Sequence, residues 1–307
     1  MKYQYLLVLI TLISLMGCQS EEEKMQAQIT ELEKHLEDDP TTEKAQEVLK
    51  AYEGYIAQFP EDTKVTPRYL YRAAALEYRM NRFSGATDFL KRAIKEYYSS
   101  SNTPKAVIFL GDIYQDKLGN EDNAITVYQA LIQAFPGSEE VNAAHKKLPN
   151  KLVDLESRIK KMGSQMFDDS TGRIEYRLAN NFITSSELYA LILPDSPKAP
   201  EMLYKGAEIA RTIRSYDKAL KMYAQVVEEY PESERAPQAL FMQAFTLDSD
   251  LRQLDKAKAL YEKFIADYPE DDFVDDAQIL LENLGKDDEE IIRSFTEKNA
   301  EAEEEVQ

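Results

Sequence analysis

The chain has 307 residues, a net charge of −19 and no tryptophan. Its length allows two compact domains or one elongated array. The 56 acidic residues against 37 basic ones repel nucleic acid and anionic lipid headgroups, which leaves basic partners as the natural complement. One cysteine excludes a disulfide framework or a cysteine-based metal site, and the missing tryptophans disfavour a glycan-stacking platform.

The N-terminus carries an address. Lys2 gives a short basic start, and Leu6 to Leu15 is an almost unbroken apolar run. A bilayer span needs about 20 apolar residues, so this run suits a secretory signal better than a membrane helix. Leu15-Met16-Gly17-Cys18 follows at once and resembles the lipobox of bacterial lipoproteins. That resemblance implies a signal peptide over 1–17 and a lipidated Cys18 as the new N-terminus, holding the protein to a membrane. Gln19 stands where an aspartate would resemble an inner-membrane retention signal, so the outer membrane is the expected destination. The acids Glu21-Glu22-Glu23 read either as a surface-export signal or as the solvated start of a helix, and residues 18–40 as a lipidated lead and first helix.

Further along, a stop signal recurs: an aromatic residue or leucine, then proline, then polar residues. It appears at Phe59-Pro60, Phe135-Pro136, Leu193-Pro194, Tyr230-Pro231 and Tyr268-Pro269. Pro194 to Pro231 spans 37 residues and Pro231 to Pro269 spans 38, while Pro60 to Pro136 spans 76. Tyr97-Tyr98 fills the halfway point of that long interval without its proline. Proline ends a helix and moves its predecessor out of the α region, and a following Asp, Ser or Glu can cap the next helix. Between stops the apolar spacing is helical, as in Leu220, Tyr223, Val227 and Tyr230. The pattern predicts an all-α chain of antiparallel helix pairs.

Two arrays are expected, over 41–149 and 173–284. Between them Pro136 to Pro194 breaks the register at 58 residues. There Lys151 to Met166 reads as an amphipathic helix with Leu152, Leu155, Ile159 and Met162 on one face, and Phe167 to Gly172 as a turn. Residues 150–172 are therefore read as a degenerate repeat and hinge. Residues 285–307 read as an acidic, solvated tail.

The repeats resemble the tetratricopeptide family. Leu110-Gly111-Asp112-Ile113-Tyr114 matches its L-G-x2-Y core, and Ala124/Tyr128, Ala219/Tyr223, Ala257/Tyr261 and Ala86/Leu90 match its small-then-large pairing on the second helix. The resemblance implies a solenoid of antiparallel helix pairs, an α-α superhelix. The slightly long repeats and Tyr-Pro-x-Ser endings are similar to those of outer-membrane assembly lipoproteins of the BamD type and of the periplasmic Tol–Pal coordinator.

No catalytic or cofactor motif emerges. Asp168-Asp169, Asp271-Asp272 and Asp287-Asp288 lack the D-x-D-x-D-G calcium spacing, no serine lies in a G-x-S-x-G elbow, and no glycine run cradles phosphate. His35 and His145 read as surface or satisfied polar residues. The expected chemistry is binding, without metal, cofactor or catalysis. Counting six residues past each stop places Leu70, Ile108, Tyr204 and Phe241 fifth in each first helix, with Glu77, Asp112, Glu208 and Asp248 nearby. Such an apolar ladder flanked by acids suits an extended partner segment with apolar and basic side chains; its competing reading is packing between neighbouring repeats.

Two functions compete at this stage. One is a lipid-anchored envelope adaptor that docks other envelope proteins, in β-barrel assembly or Tol–Pal organisation if the resemblance carries that far. The other is a surface-exposed lipoprotein capturing peptides or glycans.

Overall fold

The computed structural model describes residues 20–167 and 172–286, with Glu290 and Arg293. The lipobox and Cys18, the pairs Asp168-Asp169 and Asp287-Asp288, and nearly all of the acidic tail lie outside the described residues. Fourteen α-helices and no strand are present among the described residues, with one isolated antiparallel bridge between Phe167 and Ile174. The chain divides into two compact units. The first holds the residues up to Ala124 and Gly137–Ala144; the second holds Ile125–Pro136 and everything from His145 onward. The segment 150–172 thus lies inside the second unit.

In the first unit α1 (Glu21–Asp38) pairs with α2 (Thr42–Gln58), and α3 (Thr66–Arg79) with α4 (Phe83–Glu96). Next come α5 (Thr103–Asp116) and two helices divided between the units: α6 (Glu121–Ala134), mostly in the second, and the short α7 (Glu140–Lys147), mostly in the first. The acids Glu21, Glu22 and Glu23 form the first turn of α1, where they meet the positive end of the helix dipole. Ser20 and Glu23 cap that turn reciprocally: the Glu23 N–H donates to Ser20 Oγ at 3.1 Å, and the Ser20 N–H donates to Glu23 Oε2 at 3.0 Å.

The second unit runs through α8 (Leu155–Gln165), α9 (Tyr176–Ile192), α10 (Ala199–Thr212), α11 (Tyr216–Glu229), α12 (Arg235–Phe245), α13 (Leu254–Asp267) and α14 (Val274–Glu282). Helix α8 begins at Leu155, later than the sequence pattern suggests. Asp154 caps it by accepting the Ser157 N–H at 2.9 Å, so Lys151–Val153 stay outside the helix. Leu155, Ile159 and Met162 are buried as expected, whereas Leu152 precedes the helix and is only half-buried.

The stops behave as their chemistry dictates. Phe59, Leu193, Tyr230 and Tyr268 close their helices at φ between −121° and −132° and ψ between 51° and 58°, just before proline. Tyr97 closes α4 at φ −131°, ψ 44° without a proline behind it. The turn inside each pair then needs one left-handed residue: Asn81, Gly119, Arg214 and Arg252 have φ between 53° and 62°. Arg252 lies fifteen residues past Pro237, but Arg214 lies fourteen past Pro200. A π-turn over Thr246–Asp250, with the Leu251 N–H bonded to the Thr246 carbonyl, absorbs the additional residue.

Small residues let the helices cross closely. Ala86, Ala124, Ala219 and Ala257 are buried, as are their partners Leu90, Tyr128, Tyr223 and Tyr261. On the first helices Ala74, Gly111, Ala207 and Ala244 occupy one equivalent buried position. At Gly206 an added Cβ would lie 3.0 Å from Ser186 Cβ on α9 and would displace the end of the Met222 side chain on α11, so glycine eases the close approach of α10 to both.

Candidate docking surfaces

Proline in the first turn aligns the first helices: Pro67, Pro104, Pro200 and Pro237. Four residues beyond each lie Tyr71, Ile108, Tyr204 and Phe241. Three beyond lie Leu70, Val107, Leu203 and Leu240, all at most 1% exposed. Leu70 therefore belongs to the core row and Tyr71 to the ladder. The correction has a simple origin. Pro60 to Pro67 is seven residues, whereas Pro194 to Pro200 and Pro231 to Pro237 are six, so counting from the stop slips by one in that loop.

The ladder row is itself only a thin surface. Tyr71 and Ile108 are half-buried, and Tyr204 and Phe241 are 8% and 9% exposed. Phe241 packs in an aromatic cluster, its ring centroid 5.1 Å from that of Phe273 and 5.6 Å from that of Phe264. Tyr204 lies 5.7 Å from Tyr223 and beneath the Arg235 guanidinium, 4.9 Å from the ring centroid. Burial, then the neighbouring Glu208 charge, pushes the Tyr204 hydroxyl up to about 12. These side chains serve mainly to join neighbouring repeats.

The four acids do not share a position. Glu77 turns inward, is 6% exposed and forms an ion pair with Arg82 at 2.7 Å. Gly85 makes room for it, since a Cβ there would lie 2.7 Å from Glu77 Oε2. Asp112 is half-buried and Glu208 exposed. Burial nevertheless raises the Glu208 carboxyl above its ordinary value, partly offset by the Arg235 charge. Asp248 sits in the π-turn, 8% exposed, and burial raises it too, against the weaker pull of Arg252. Beside them Glu201 is drawn below its ordinary value, because hydrogen bonds from Arg235 and Lys205 outweigh its burial.

A larger concave feature lies in the first unit, where the sequence pattern gave no site. Three helices each turn one stripe into a cavity of about 840 Å³. Helix α1 contributes Glu33, Leu36 and Glu37, at the i, i+3, i+4 spacing of a single face, and Pro40 follows just past its end. Helix α2 contributes Ala45, Val48 and Tyr52, and α3 contributes Arg72, Ala75, Leu76 and Arg79 on the same spacing. Its size falls within the roughly 300–1,000 Å³ typical of ligand pockets. Leu36, Ala45, Val48 and Leu76 make an apolar floor. On one side Glu33 accepts hydrogen bonds from the Tyr52 hydroxyl and from Arg72, the latter at 2.6 Å. Burial, then the bond to Glu33, holds the Tyr52 hydroxyl well above the usual tyrosine range.

Among the described residues no cluster of three or more His, Cys, Asp or Glu could hold a metal ion. In that same set no helix is long and apolar enough to cross a membrane. His35 and His145 are exposed on α1 and α7. Asp271 has a local task, accepting the Phe273 N–H at 3.0 Å in the turn before α14.

Comparison with known proteins agrees with the repeat reading. The tetratricopeptide-repeat family model matches residues 110–138, 201–233 and 238–271. No curated protein matches the chain. Among solved structures, the chain is similar to the TPR2AB domain of yeast Sti1 in its pHSP90 complex. Identity there is 15%, covering 85% of this chain and 97% of that one, with a TM-score of 0.33. It is also similar to the C-terminal part of a TPR repeat-containing protein from Cytophaga hutchinsonii. That match has 15% identity, covers 84% of this chain and 99% of the other, and has a TM-score of 0.27. With the helix pairs, the in-phase stops and the matched repeats together, the fold is that of an all-α tetratricopeptide-repeat solenoid.

Proposed function

We propose that the protein is a lipid-anchored adaptor of a bacterial envelope that holds other proteins on its helical-repeat surfaces and catalyses no reaction. The carrying observation is the pairing of tetratricopeptide repeats with a Leu15-Met16-Gly17-Cys18 lipobox on one chain. Repeats of this kind are protein-interaction scaffolds, and an acylated Cys18 would fix the scaffold at a membrane. Gln19 favours the outer membrane. The Tyr-Pro-x-Ser endings favour a role in outer-membrane protein assembly or envelope organisation, with envelope proteins as partners.

The test is crosslinking in intact cells, followed by identification of attached proteins and of the attachment sites on this chain. Envelope proteins attached at discrete sites are expected. No protein attached at any site would overturn the adaptor reading. A parallel measurement with a fatty-acid probe reads the anchor: Cys18→Ala should lose the label, and equal labelling of mutant and wild type would remove the lipid from the reading.

A further inference from the structure

The first unit carries an aromatic surface that its own repeats leave partly open. Tyr71 and Tyr78 stand seven residues apart on one face of α3, about 10 Å along its axis. Phe109 of α5 lies against both, its ring centroid 5.8 Å from that of Tyr71 and 5.4 Å from that of Tyr78. Phe83, at the start of α4, adds a fourth ring 5.6 Å from Tyr78. All four are half-buried, so each is held by its neighbours yet keeps part of its surface accessible. In the second unit the same row is closed, since Arg235 covers Tyr204 and Phe273 stacks on Phe241.

Three groups on this surface lack polar partners. The Tyr71 and Tyr78 hydroxyls make no hydrogen bond among the described residues, and unlike the Tyr223 hydroxyl neither is sealed from solvent. Burial, then the Asp112 and Glu140 charges, pushes the Tyr71 hydroxyl up, which keeps it a donor. Lys117 is exposed just past α5, its Nζ 5.2 Å from the Tyr78 ring centroid and 5.8 Å from that of Phe83. Among the described residues no carboxylate pairs with it.

These groups discriminate among the forms that a partner backbone can take. A helix uses its carbonyls internally and has none to offer the two hydroxyls. A β-strand would lay N–H donors over rings that hold no strong acceptor. A polyproline II segment keeps its carbonyls free, has no N–H at its prolines and packs their rings on aromatic side chains. One turn of it rises about 9 Å, close to the Tyr71–Tyr78 spacing. Charge then sets its direction. Lys117 attracts an acidic side chain beside Tyr78, whereas Asp112 and Glu140 repel one beside Tyr71.

We propose that this surface docks a proline-rich, extended segment of a partner protein, with an acidic side chain where the segment passes Lys117. The choice of a protein as occupant rests on the adaptor reading. The sequence alone suggests a basic segment instead.

The test uses the full-length protein in detergent and fluorescein-labelled peptides, with affinities read by fluorescence anisotropy. Two peptides share a Pro-Pro-Leu-Pro-Pro core and carry two glutamates on one flank or on the other. Lysine-for-glutamate and alanine-for-proline versions of both are the controls. One glutamate peptide should bind about tenfold more tightly than its lysine and its alanine versions. Lys117→Glu should transfer the preference to the lysine version. Lys117 is exposed, so that variant should fold, and the gain of a new preference separates altered recognition from lost structure. Tyr71→Phe combined with Tyr78→Phe keeps both rings, removes both hydroxyls and should weaken the glutamate peptide about fivefold with circular dichroism unchanged. Equal affinity for proline and alanine versions, no binding of any peptide, a preference of the wild type for lysine, an unchanged ranking in Lys117→Glu, or full affinity in the double variant would each overturn the proposal. Crosslinked partners mapped only to other surfaces would overturn this site while leaving the adaptor reading in place.

Discussion

The Tyr55 hydroxyl donates to Asp62 Oδ2 at 2.8 Å, seven residues on, while Asp62 Oδ1 accepts the Lys64 and Val65 N–H groups at 2.9 and 3.0 Å. One carboxylate thus joins the last turn of α2 to the two residues that lead into α3, across the Phe59-Pro60 stop. The second unit repeats the seven-residue spacing with a serine: Tyr189 Oη and Ser196 Oγ are 2.8 Å apart, while the Tyr189 hydroxyl donates to Glu156 Oε1 at 2.9 Å.

The Asp62 bridge sets a pH-dependent prediction. Burial alone would raise this carboxyl, but hydrogen bonds from Val65, Tyr55 and Lys64 outweigh it and hold it below its ordinary value. A depressed carboxyl stabilises the fold above its unfolded pKa, near 4, and that contribution is lost as pH falls through the folded value. Asp62→Ala should cost about 1–3 kcal/mol at pH 7, the usual magnitude for hydrogen bonds to a charged group. In urea titrations the gap between mutant and wild type should close as pH falls below about 4. A gap independent of pH would remove the charge from this account.

At Ala219 the prediction concerns packing. The residue is fully buried on α11, four positions before the fully buried Tyr223. Ala219→Leu overfills the crossing and should cost about 1–3 kcal/mol. Contacts in a repeat array are nearest-neighbour, so hydrogen exchange should quicken mainly in α10 to α12. Equal loosening of the first unit would contradict a modular core.

Arg214 offers the opposite sign. It holds φ 62° in the turn between α10 and α11, where Gly119 and Asn81 serve the equivalent turns of the first unit. A left-handed conformation costs an ordinary L-residue roughly 1–2 kcal/mol, less for asparagine. Arg214→Asn should therefore raise stability by about 0.5–1 kcal/mol, measured by thermal unfolding. A loss of stability would show that the Arg214 side chain contributes more than its backbone costs.

Tyr204 and Phe241 should act first through folding. Because both are at least nine-tenths buried and packed against neighbouring aromatic rings, Tyr204→Ala and Phe241→Ala should each cost about 3–5 kcal/mol. Circular dichroism during denaturation checks this. Unchanged stability with lost partner binding would restore them as docking anchors.

What the sequence made legible was what repeats. Proline spacing and Ala–Tyr pairs rest on local sterics, and the chain follows them closely, even at Tyr97 where the proline is missing. Absolute phase was harder to read, because one extra residue between Pro60 and Pro67 moved Leu70 from the ladder into the core. Acid positions were harder still: Glu77 folds inward onto Arg82, with its carboxylate over Gly85. The cavity was missed because α1 was treated as a lipidated lead and not as half of a repeat. Its signal is nevertheless in the chain, in the single-face spacing of Glu33, Leu36 and Glu37.

The capping box at Ser20 and Glu23 has a mechanical consequence if Cys18 carries lipid. Only Gln19 separates the acylated position from the Ser20 cap, a reach of at most about 7 Å. The protein then has almost no leash, and its first helix begins close to the headgroups. Glu33 lies thirteen residues past the cap, about 20 Å along α1. Glu33 then stays within about 27 Å of the lipidated position, so proteins already embedded in or bound to the same membrane would reach this unit more readily than freely diffusing ones.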